Sequence, residues 1–349
     1  MKAANKNLNI IYICTADKAP AGGPKVVYNH SDIINNLSKN ISSEILHIKK
    51  KKYKKWNSSL KKLLGIGKQN YYGWNYKDIT VVKNFKSKWL NSNIKVKNDF
   101  NFDKNKDFVI IPEIFAHLAI GLLQKKKIPY AIFVQNGYLL NITNDYKTLN
   151  ESYKKAKFIL SYSKDISNCV NLAFKSCRNK ILRTNISINK NKFNFKAKKN
   201  NTITYMPRKL PHHSNNLIFF LRDKLPKGWK LKPLHNLRES EVYNELSKSK
   251  IFLSFSDMEG LGIPPIEAAI AGNHVIGYTG EGGKQYWKKP IFTEIPNGNI
   301  SKFVNAILLN IKQKKFNKKY LMERKMVINQ FSPEQEKKKI INMLKKINK

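Results

Sequence analysis

Residues 256–272 read SDMEGLGIPPIEAAIAG, and this stretch decides the fold of the chain. The apolar run that leads into it, KIFLSFS (250–256), predicts a buried strand. Its second half, PPIEAAIAG (264–272), predicts a short helix, because Pro is favoured at the start of a helix and Gly at its end. Ligands of open α/β sheets bind beyond the carboxyl ends of the strands, so the loop between this strand and helix is the expected place of a ligand site.

Two carboxylates lie in this stretch, Glu259 in the loop and Glu267 in the predicted first turn of the helix, with seven residues between them. One carboxylate can accept hydrogen bonds from two vicinal hydroxyls, as on a sugar or a ribose. Gly260 and Gly262 let the backbone approach a ligand closely, and the N–H groups at the start of the helix suit a diphosphate. The alternative interpretation is a solvated loop acid and an acid favoured by the helix dipole.

The stretch resembles the E-x7-E signature of retaining, family-4-type glycosyltransferases with the GT-B fold (glycosyl transferases group 1). The family pattern runs roughly S-x-x-E-G-F-G-L-P-x-x-E-A-M-A-x-G-x-P-V-V. This chain matches it at Ser256, Glu259, Gly260, Gly262, Pro264, Glu267, Ala268, Ala271, Gly272 and Val275. The resemblance is specific in 250–287. It is weaker along most of the remaining chain, at GGPKVVYNHSDIINNL (22–37), ILSYSKD (159–165), ILRTNIS (181–187) and ITYMPRK (203–209).

The resemblance implies a role for each matching residue. Glu267 would hold the ribose hydroxyls of a nucleotide, and Glu259 would contact the hydroxyls of the transferred sugar. Arg208 and Lys209 would neutralise the diphosphate as it leaves. Five further residues would line the donor site: Gly22, Gly23, Gly260, Leu261 and Gly262. His117, near the carboxyl end of a predicted strand, would face the acceptor or the reacting carbon, as would Glu113.

The chain departs from the family pattern at several positions. Leu261 stands where Phe is common, His274 stands where Pro is usual, and Gln285 stands where the Gly-Gly loop often carries an acid. Arg208 and Lys209 are adjacent, whereas the family commonly separates its Arg and Lys. Both carboxylates remain, but the nucleotide and the sugar are left open.

Short apolar runs alternate with helical segments along the whole chain, which is typical of parallel sheets with helices on both faces. Helices are predicted at 25–40, 117–127, 216–225, 239–249, 264–272 and 301–315, and a last helix at 333–349 with Ser332 as its N-cap. The predicted fold is α/β, a GT-B arrangement of two Rossmann-like domains facing a central cleft. The predicted N-terminal, acceptor-side domain is 1–185 together with the helix 333–349, the linker is 186–201, and the nucleotide-sugar domain is 202–332.

The net charge of the chain is +43, which usually indicates a polyanionic partner. Only 6 of its 66 basic residues are Arg, the residue that best matches phosphates and guanine edges. Lys, Asn and Ile share A/T-rich codons, so we interpret most of this charge as a consequence of genome composition. Three cysteines without a C-x-x-C spacing fit a reducing cytosol, and no long apolar segment predicts a signal peptide or a membrane span.

Several further polar and aromatic residues are candidates for the site or the core. Gln135 and Asn136 end a predicted strand and are candidates for lining the cleft. His212 and His213 resemble a metal pair, but no third ligand has a suitable spacing, so no metal is expected. The aromatic residues Trp56, Tyr71, Tyr72, Trp74 and Trp89 are expected in the core, in a lid or against the acceptor.

The sequence therefore predicts a retaining glycosyltransferase that moves a sugar from a nucleotide-diphosphate donor to an acceptor hydroxyl. The expected acceptor is a glycan or a lipid-linked molecule in surface polysaccharide or glycolipid synthesis, in the cytosol or at the inner face of an anionic membrane. No cofactor is expected, and no Asp-x-Asp, P-loop or G-x-G-x-x-G motif is present. The alternatives are the same enzyme with a phosphorylated or nucleic-acid acceptor, and a basic protein that binds nucleic acid or anionic lipid through an inactive core.

Overall fold

A computed structural model describes residues 7–16, 21–51, 74–87, 89–90, 94–141, 143, 145–312 and 317–348. These residues form two α/β domains, each built on one sheet. Trp56, Tyr71 and Tyr72 lie outside the described residues.

Within the described ranges, the N-terminal sheet has eight strands. They are β1 (Leu8–Thr15), β2 (Ile41–Lys50), β3 (Ile79–Val81), β4 (Lys95–Lys97), β5 (Asp107–Pro112), β6 (Tyr130–Val134), β7 (Ile159–Ser161) and β8 (Ile181–Arg183). Their order is β3-β2-β1-β5-β6-β7-β8, with β4 also paired to β2. Every pairing is parallel except that of β2 with β3. The carboxyl ends of the parallel strands therefore share one edge, which faces the second domain.

The C-terminal sheet has five parallel strands in the order β10-β9-β11-β12-β13. They are β9 (Asn200–Tyr205), β10 (Lys230–Pro233), β11 (Ser249–Ser256), β12 (His274–Thr279) and β13 (Phe292–Glu294). The strand β11 lies at the centre and is buried at seven of its eight residues. This explains why Ile251, Phe252 and Leu253 follow one another without polar residues in alternation.

Helices cover both sheets. In the first domain they are α1 (Gly22–Asn35), α2 (Ala119–Leu122), α3 (Tyr146–Lys155) and α4 (Lys164–Ala173). In the second they are α5 (Pro211–Leu221), α6 (Glu239–Lys248), α7 (Ile263–Ala271), α8 (Gly280–Gly283), α9 (Ile300–Ile311) and α10 (Lys318–Gln330), and the last helix is α11 (Pro333–Ile347). Short 3-10 turns lie at Tyr76–Asp78, Glu113–Leu118, Gln124–Lys126, Gly137–Leu139, Lys175–Lys180 and Lys190–Lys192. None of the helices in the described part of the chain has the length and apolar character needed to cross a membrane.

Two predictions about helices need correction. The predicted helix 117–127 is broken into a 3-10 turn, the four-residue α2 and a second 3-10 turn, which ends at Lys127 in a left-handed conformation with φ 55°. Glu267 is the fifth residue of α7, so it lies beyond the first turn in which it was predicted. An acid favoured only by the helix dipole would lie in that first turn. The dipole is therefore a weaker explanation for the presence of an acid at position 267.

The helix starts and ends follow the expected local chemistry. Prolines occupy the first turn of α7, and Gly272 ends it with φ 89°, a conformation that glycine adopts without strain. The side chain of Ser332 accepts a hydrogen bond from Gln335 N at the start of α11, which confirms the predicted N-cap.

The two domains are joined twice. Residues 186–199 lead from β8 to β9 and are packed rather than extended in solvent, because Ile186, Ile188 and Phe193 are buried. The chain crosses back after α10, where Ile188 N donates to Phe331 O at 2.9 Å. The helix α11 then lies against α1, and the buried side chains of Glu336 and His30 approach to 3.3 Å. One apolar cluster spans both domains, and each sheet has a second cluster on its other face.

Candidate active site

A cavity of about 1090 Å³ lies between the carboxyl ends of the two sheets. The N-terminal domain contributes the loop after β1, the start of α1 and the ends of β5 and β6. The C-terminal domain contributes the ends of β9, β10 and β11 and the starts of α6 and α7. Of the residues predicted for the site, all but His117 line this cavity: Gly22, Gly23, Arg208, Lys209, Glu259, Gly260, Leu261, Gly262 and Glu267.

The loop between β11 and α7 has a strained, tightly packed backbone. Met258 has φ 44° and Gly262 has φ 76°, both in the left-handed region. A Cβ atom added to Gly260 would lie 2.1 Å from the carbonyl oxygen of Gln135 in the other domain. Gly260 is therefore required by the close approach of the two domains, in addition to any part it has in ligand binding.

Glu267 is buried on α7, and its partners come from both domains. Lys25 Nζ, at the start of α1, lies 3.1 Å from Glu267 Oε1 and 2.7 Å from Glu239 Oε1 on α6. Lys25 also donates to Tyr243 OH at 2.9 Å, and Tyr243 OH donates to Glu239 at 2.5 Å. These four side chains form one hydrogen-bonded group across the cleft, which we call the cross-cleft cluster.

The pKa values of the cross-cleft cluster follow from burial and from charge. Burial raises the pKa of Glu267, and the charge of Lys25 opposes this rise. Burial lowers the pKa of Lys25, but Glu267, Tyr243 and Glu239 more than offset it, so the pKa lies above its ordinary value. The charged form of Lys25 is therefore strongly favoured in the closed cleft.

Glu259 has a lysine partner of its own. Lys209 Nζ contacts Glu259 Oε1, so the residues predicted to bind the diphosphate and the transferred sugar are neighbours. Arg208 lines the same cavity and is exposed. Each of the two carboxylates of the E-x7-E stretch thus contacts a lysine, one within its domain and one across the cleft.

The two glycines near the start of the chain lie where the domains come closest. A Cβ atom on Gly22 would lie 3.3 Å from Ile263 Cδ1, the first residue of α7. A Cβ atom on Gly23 would lie 2.3 Å from Gln135 Oε1. Gly22 therefore faces α7 across the cleft, whereas Gly23 leaves room for the side chain of Gln135 within its own domain.

Glu113, Gln135 and Asn136 form a second group at the cavity wall. The buried carboxylate of Glu113 accepts hydrogen bonds from Gln135 N at 3.1 Å and Asn136 N at 2.9 Å. Asn136 Nδ2 donates to Met258 O in the other domain at 3.1 Å. Burial raises the pKa of Glu113 to about 7, although both backbone N–H groups favour its ionised form.

The structure does not bring His117 to the cavity. Its Nε2 lies 3.0 Å from the carbonyl oxygen of Trp74, so the ring is used within the N-terminal domain. Trp74 is buried and stacks on Phe115, with 5.6 Å between the ring centroids. Trp89 lines the cavity.

The histidine pair and the Gly-Gly loop also have partners in the structure. His213 Nδ1 lies 3.1 Å from Tyr278 OH, and no group of three or more His, Cys, Asp or Glu suited to a metal occurs in the described part of the chain. Gln285, in the loop after β12, accepts from Lys164 N at 3.1 Å and from Arg183 Nη2 at 3.3 Å. It is therefore a further contact between the domains.

Lys25, Glu239 and Tyr243 were missed by sequence reasoning. Lys25 directly follows Gly22-Gly23-Pro24, but it is one of 60 lysines. No pattern in the neighbouring sequence distinguishes it from a lysine exposed to solvent. Glu239 begins a predicted helix, where an acid is expected for its effect on the dipole. Only the packing of α1 against α6 brings them together.

Solved structures confirm the architecture. The chain resembles HepE from Anabaena, solved with UDP and glucose, with a TM-score of 0.64 and 10% identity over 97% of this chain and 99% of that one. It resembles a glycosyltransferase from Rickettsia africae with a TM-score of 0.64 and 15% identity over 98% and 99%. It also resembles the lipopolysaccharide outer core galactosyltransferase WaaB, with a TM-score of 0.60 and 14% identity over 97% and 99%.

The fold is therefore GT-B, the two-domain α/β fold of these glycosyltransferases. This confirms the predicted fold class. No protein-family model and no curated protein matches the sequence. At these identities the likeness establishes the fold alone.

We expect Glu113→Gln to change how stability depends on pH. Because burial raises the pKa of Glu113 from its ordinary value of 4.5 to about 7, the folded state binds an extra proton in this window and loses stability as the pH rises through it. Such a shift corresponds to on the order of 3 kcal/mol. Gln does not ionise, so the variant should gain stability relative to the wild type as the pH rises, measured by urea unfolding at a series of pH values.

Glu294→Gln is the matched control, because Glu294 is exposed on β13. Its stability profile should run parallel to that of the wild type. A Glu113→Gln profile that also runs parallel would contradict the assigned cause.

Proposed function

We propose that the protein is a retaining glycosyltransferase, which moves a sugar from a nucleotide-diphosphate sugar to an acceptor hydroxyl. The observation that carries the proposal is the meeting of Glu259, Glu267, Arg208 and Lys209 in one cavity between the domains of a GT-B fold. A solved protein of similar fold, HepE, binds UDP-glucose, which supports a nucleotide-sugar as donor.

In this proposal the C-terminal domain holds the donor. Glu267 accepts hydrogen bonds from the ribose hydroxyls, and Glu259 contacts the hydroxyls of the transferred sugar. The backbone N–H groups of 260–262 and the N-terminus of the nine-residue α7 lie toward the diphosphate, since such groups favour an anion. Gly22 and Gly23 close the opposite wall.

Cleavage of the sugar–phosphate bond leaves negative charge on the departing diphosphate. Arg208 and Lys209 are cations at the cavity wall, and cations already in place stabilise a developing anion. We propose that these cations and the N-terminus of α7 stabilise the charge without a metal. The sequence has no Asp-x-Asp motif, which disfavours the metal-dependent alternative glycosyltransferase fold. The reaction is taken to occur on one face of the sugar, and no protein nucleophile is part of the proposal.

The N-terminal domain supplies the acceptor side. Trp89, Gln135 and Asn136 line the cavity there and offer an aromatic face and amide groups to a sugar acceptor. His117 takes no part, because its Nε2 already contacts the carbonyl oxygen of Trp74.

We propose a setting in surface polysaccharide or glycolipid synthesis, in the cytosol and at the inner face of the membrane. The net charge of +43 suits a surface of anionic lipids, where each nearby basic residue adds attraction. An acceptor carried by such a membrane would be presented directly to the cleft.

Glu267→Ala should abolish donor turnover while each domain keeps its fold, because the variant removes the acceptor of the ribose hydroxyls and one cross-cleft contact of Lys25 but no apolar packing group. In a thermal-shift screen of UDP-, GDP-, ADP- and CMP-sugars, the true donor should raise the Tm of the wild type by mass action. The same donor should raise the Tm of the variant much less.

The control for this variant is Glu245→Ala, since Glu245 pairs with Lys232 at 2.8 Å and does not line the cavity. It should keep full turnover. If Glu267→Ala hydrolyses every active nucleotide-sugar at the wild-type rate, the donor site is wrong.

Arg208→Ala should reduce kcat by about 100-fold to 1000-fold, the usual effect of removing one group that stabilises transition-state charge. The KM for the donor should change less, because the charge on the leaving oxygen grows during the reaction. Steady-state kinetics measure both values. Arg222→Ala is the control, because Arg222 is exposed and pairs with Asp223. A kcat for Arg208→Ala within about twofold of that control would exclude a role of Arg208 in stabilising the leaving diphosphate.

The proposed membrane setting predicts flotation with vesicles that contain phosphatidylglycerol and none with vesicles of phosphatidylcholine alone. Binding should fall as salt rises, because exposed charges are screened. Absence of binding to anionic vesicles at low salt would contradict this setting. Binding to duplex DNA that falls steeply with salt, without turnover of any nucleotide-sugar, would instead favour a nucleic-acid-binding protein.

A further inference from the structure

Lys25 stands on one domain, and all three hydrogen-bonding partners of its ammonium group stand on the other. They are Glu239, Tyr243 and Glu267, at 2.7, 2.9 and 3.1 Å. The side chain of Lys25 is only 18% exposed and that of Glu267 only 8%. The cross-cleft cluster therefore contains a largely desolvated ion pair, Lys25–Glu267, which exists only when the two domains are in contact.

A buried carboxylate without a cation is costly, and it responds by taking up a proton. Four groups from three elements face Glu267: Lys25 on α1, Glu239 and Tyr243 on α6, and Lys192 on the segment 186–199. Lys192 lies 3.4 Å from Glu239 and pairs with that residue, not with Glu267. Among the described residues, Lys25 is thus the cation in direct contact with Glu267, and the negative Glu239 opposes the ionised form of Glu267.

We propose that Lys25 is a positioning residue for nucleotide binding, which keeps Glu267 ionised and aimed into the cavity. This inference rests on the proposed function, in which Glu267 accepts the ribose hydroxyls. Because Lys25 belongs to the opposite domain, it makes the ribose-binding carboxylate competent only in the closed cleft. Nucleotide binding and domain closure are thereby coupled.

The first test measures binding of a nucleoside diphosphate by calorimetry, with UDP as the first probe. Lys25→Met keeps the length of the side chain but removes its charge, and it should weaken UDP binding by about tenfold or more, as expected when one partner of a buried charge pair is lost. Lys25→Arg keeps the charge and should restore most of the affinity. Lys232→Met, which removes a lysine that pairs with Glu245 outside the cavity, should bind UDP as the wild type does.

The pH dependence separates positioning from a merely structural role. In Lys25→Met, Glu267 should protonate nearer to neutral pH, and a protonated carboxyl is a weaker acceptor for ribose hydroxyls. The loss of affinity relative to the wild type should therefore grow as the pH falls from about 8 to about 6. In turnover assays the KM for the donor should rise while kcat stays within about threefold of the wild type, because Lys25 does not touch the reacting atoms.

Equal UDP affinity of Lys25→Met and the wild type across this pH range would overturn the proposal. So would a loss that is the same at every pH. Lys25→Gln serves as a second variant if the melting curve of Lys25→Met shows misfolding.

A readout without nucleotide distinguishes this proposal from the proposed function. Small-angle X-ray scattering should give a larger radius of gyration for Lys25→Met than for the wild type or Lys232→Met, because the cross-cleft cluster is lost. Equal radii would overturn the coupling to closure. If the wild type binds none of the nucleoside diphosphates, the proposed function and the nucleotide role fail, whereas the scattering result still decides whether Lys25 holds the domains together.

Discussion

The burial of Glu267 constrains the arrangement of both domains. Its carboxylate lies within α7, where the apolar face of the helix packs on the central strand β11 and leaves little access to water. A charge in that position needs a partner, and the partner comes from the start of α1 in the other domain. Gly260 is small at this approach, since a Cβ atom there would lie 2.1 Å from the carbonyl oxygen of Gln135 in the other domain.

The central features of the fold could be predicted because they are local. The strand 250–256 contains the consecutive apolar residues Ile251, Phe252 and Leu253, and the prolines and Gly272 mark the ends of α7 without reference to any other part of the chain. The strands and helices around them repeat the same pattern, so the parallel sheets followed from sequence. The helix predicted at 117–127 failed because apolar spacing continues through a segment that the tertiary structure breaks into turns.

The candidate site was predictable only within one continuous stretch of sequence. Glu259 and Glu267 belong to one strand–loop–helix unit, and this context together with the resemblance to the E-x7-E signature predicted that they lie at one site. Lys25 and Glu239 are separated by more than half of the chain, and their meeting depends on how two folded domains dock. The chain has 60 lysines, and no sequence pattern distinguishes Lys25, which reaches across the cleft, from the lysines exposed to solvent. His117 also lies near a strand end, where a site residue is expected. Its side chain instead contacts the carbonyl oxygen of Trp74 within the N-terminal domain.

The two crossings between the domains lie side by side, joined by the hydrogen bond from Ile188 N to Phe331 O. Two adjacent attachments allow one domain to rotate against the other about the line that joins them. They oppose twisting and sliding of the domains. Lys192 lies on the first of these crossings and pairs with Glu239, which in turn pairs with Lys25. The cross-cleft cluster is therefore linked to the segment that attaches the domains, and a change at Lys25 would act close to that attachment.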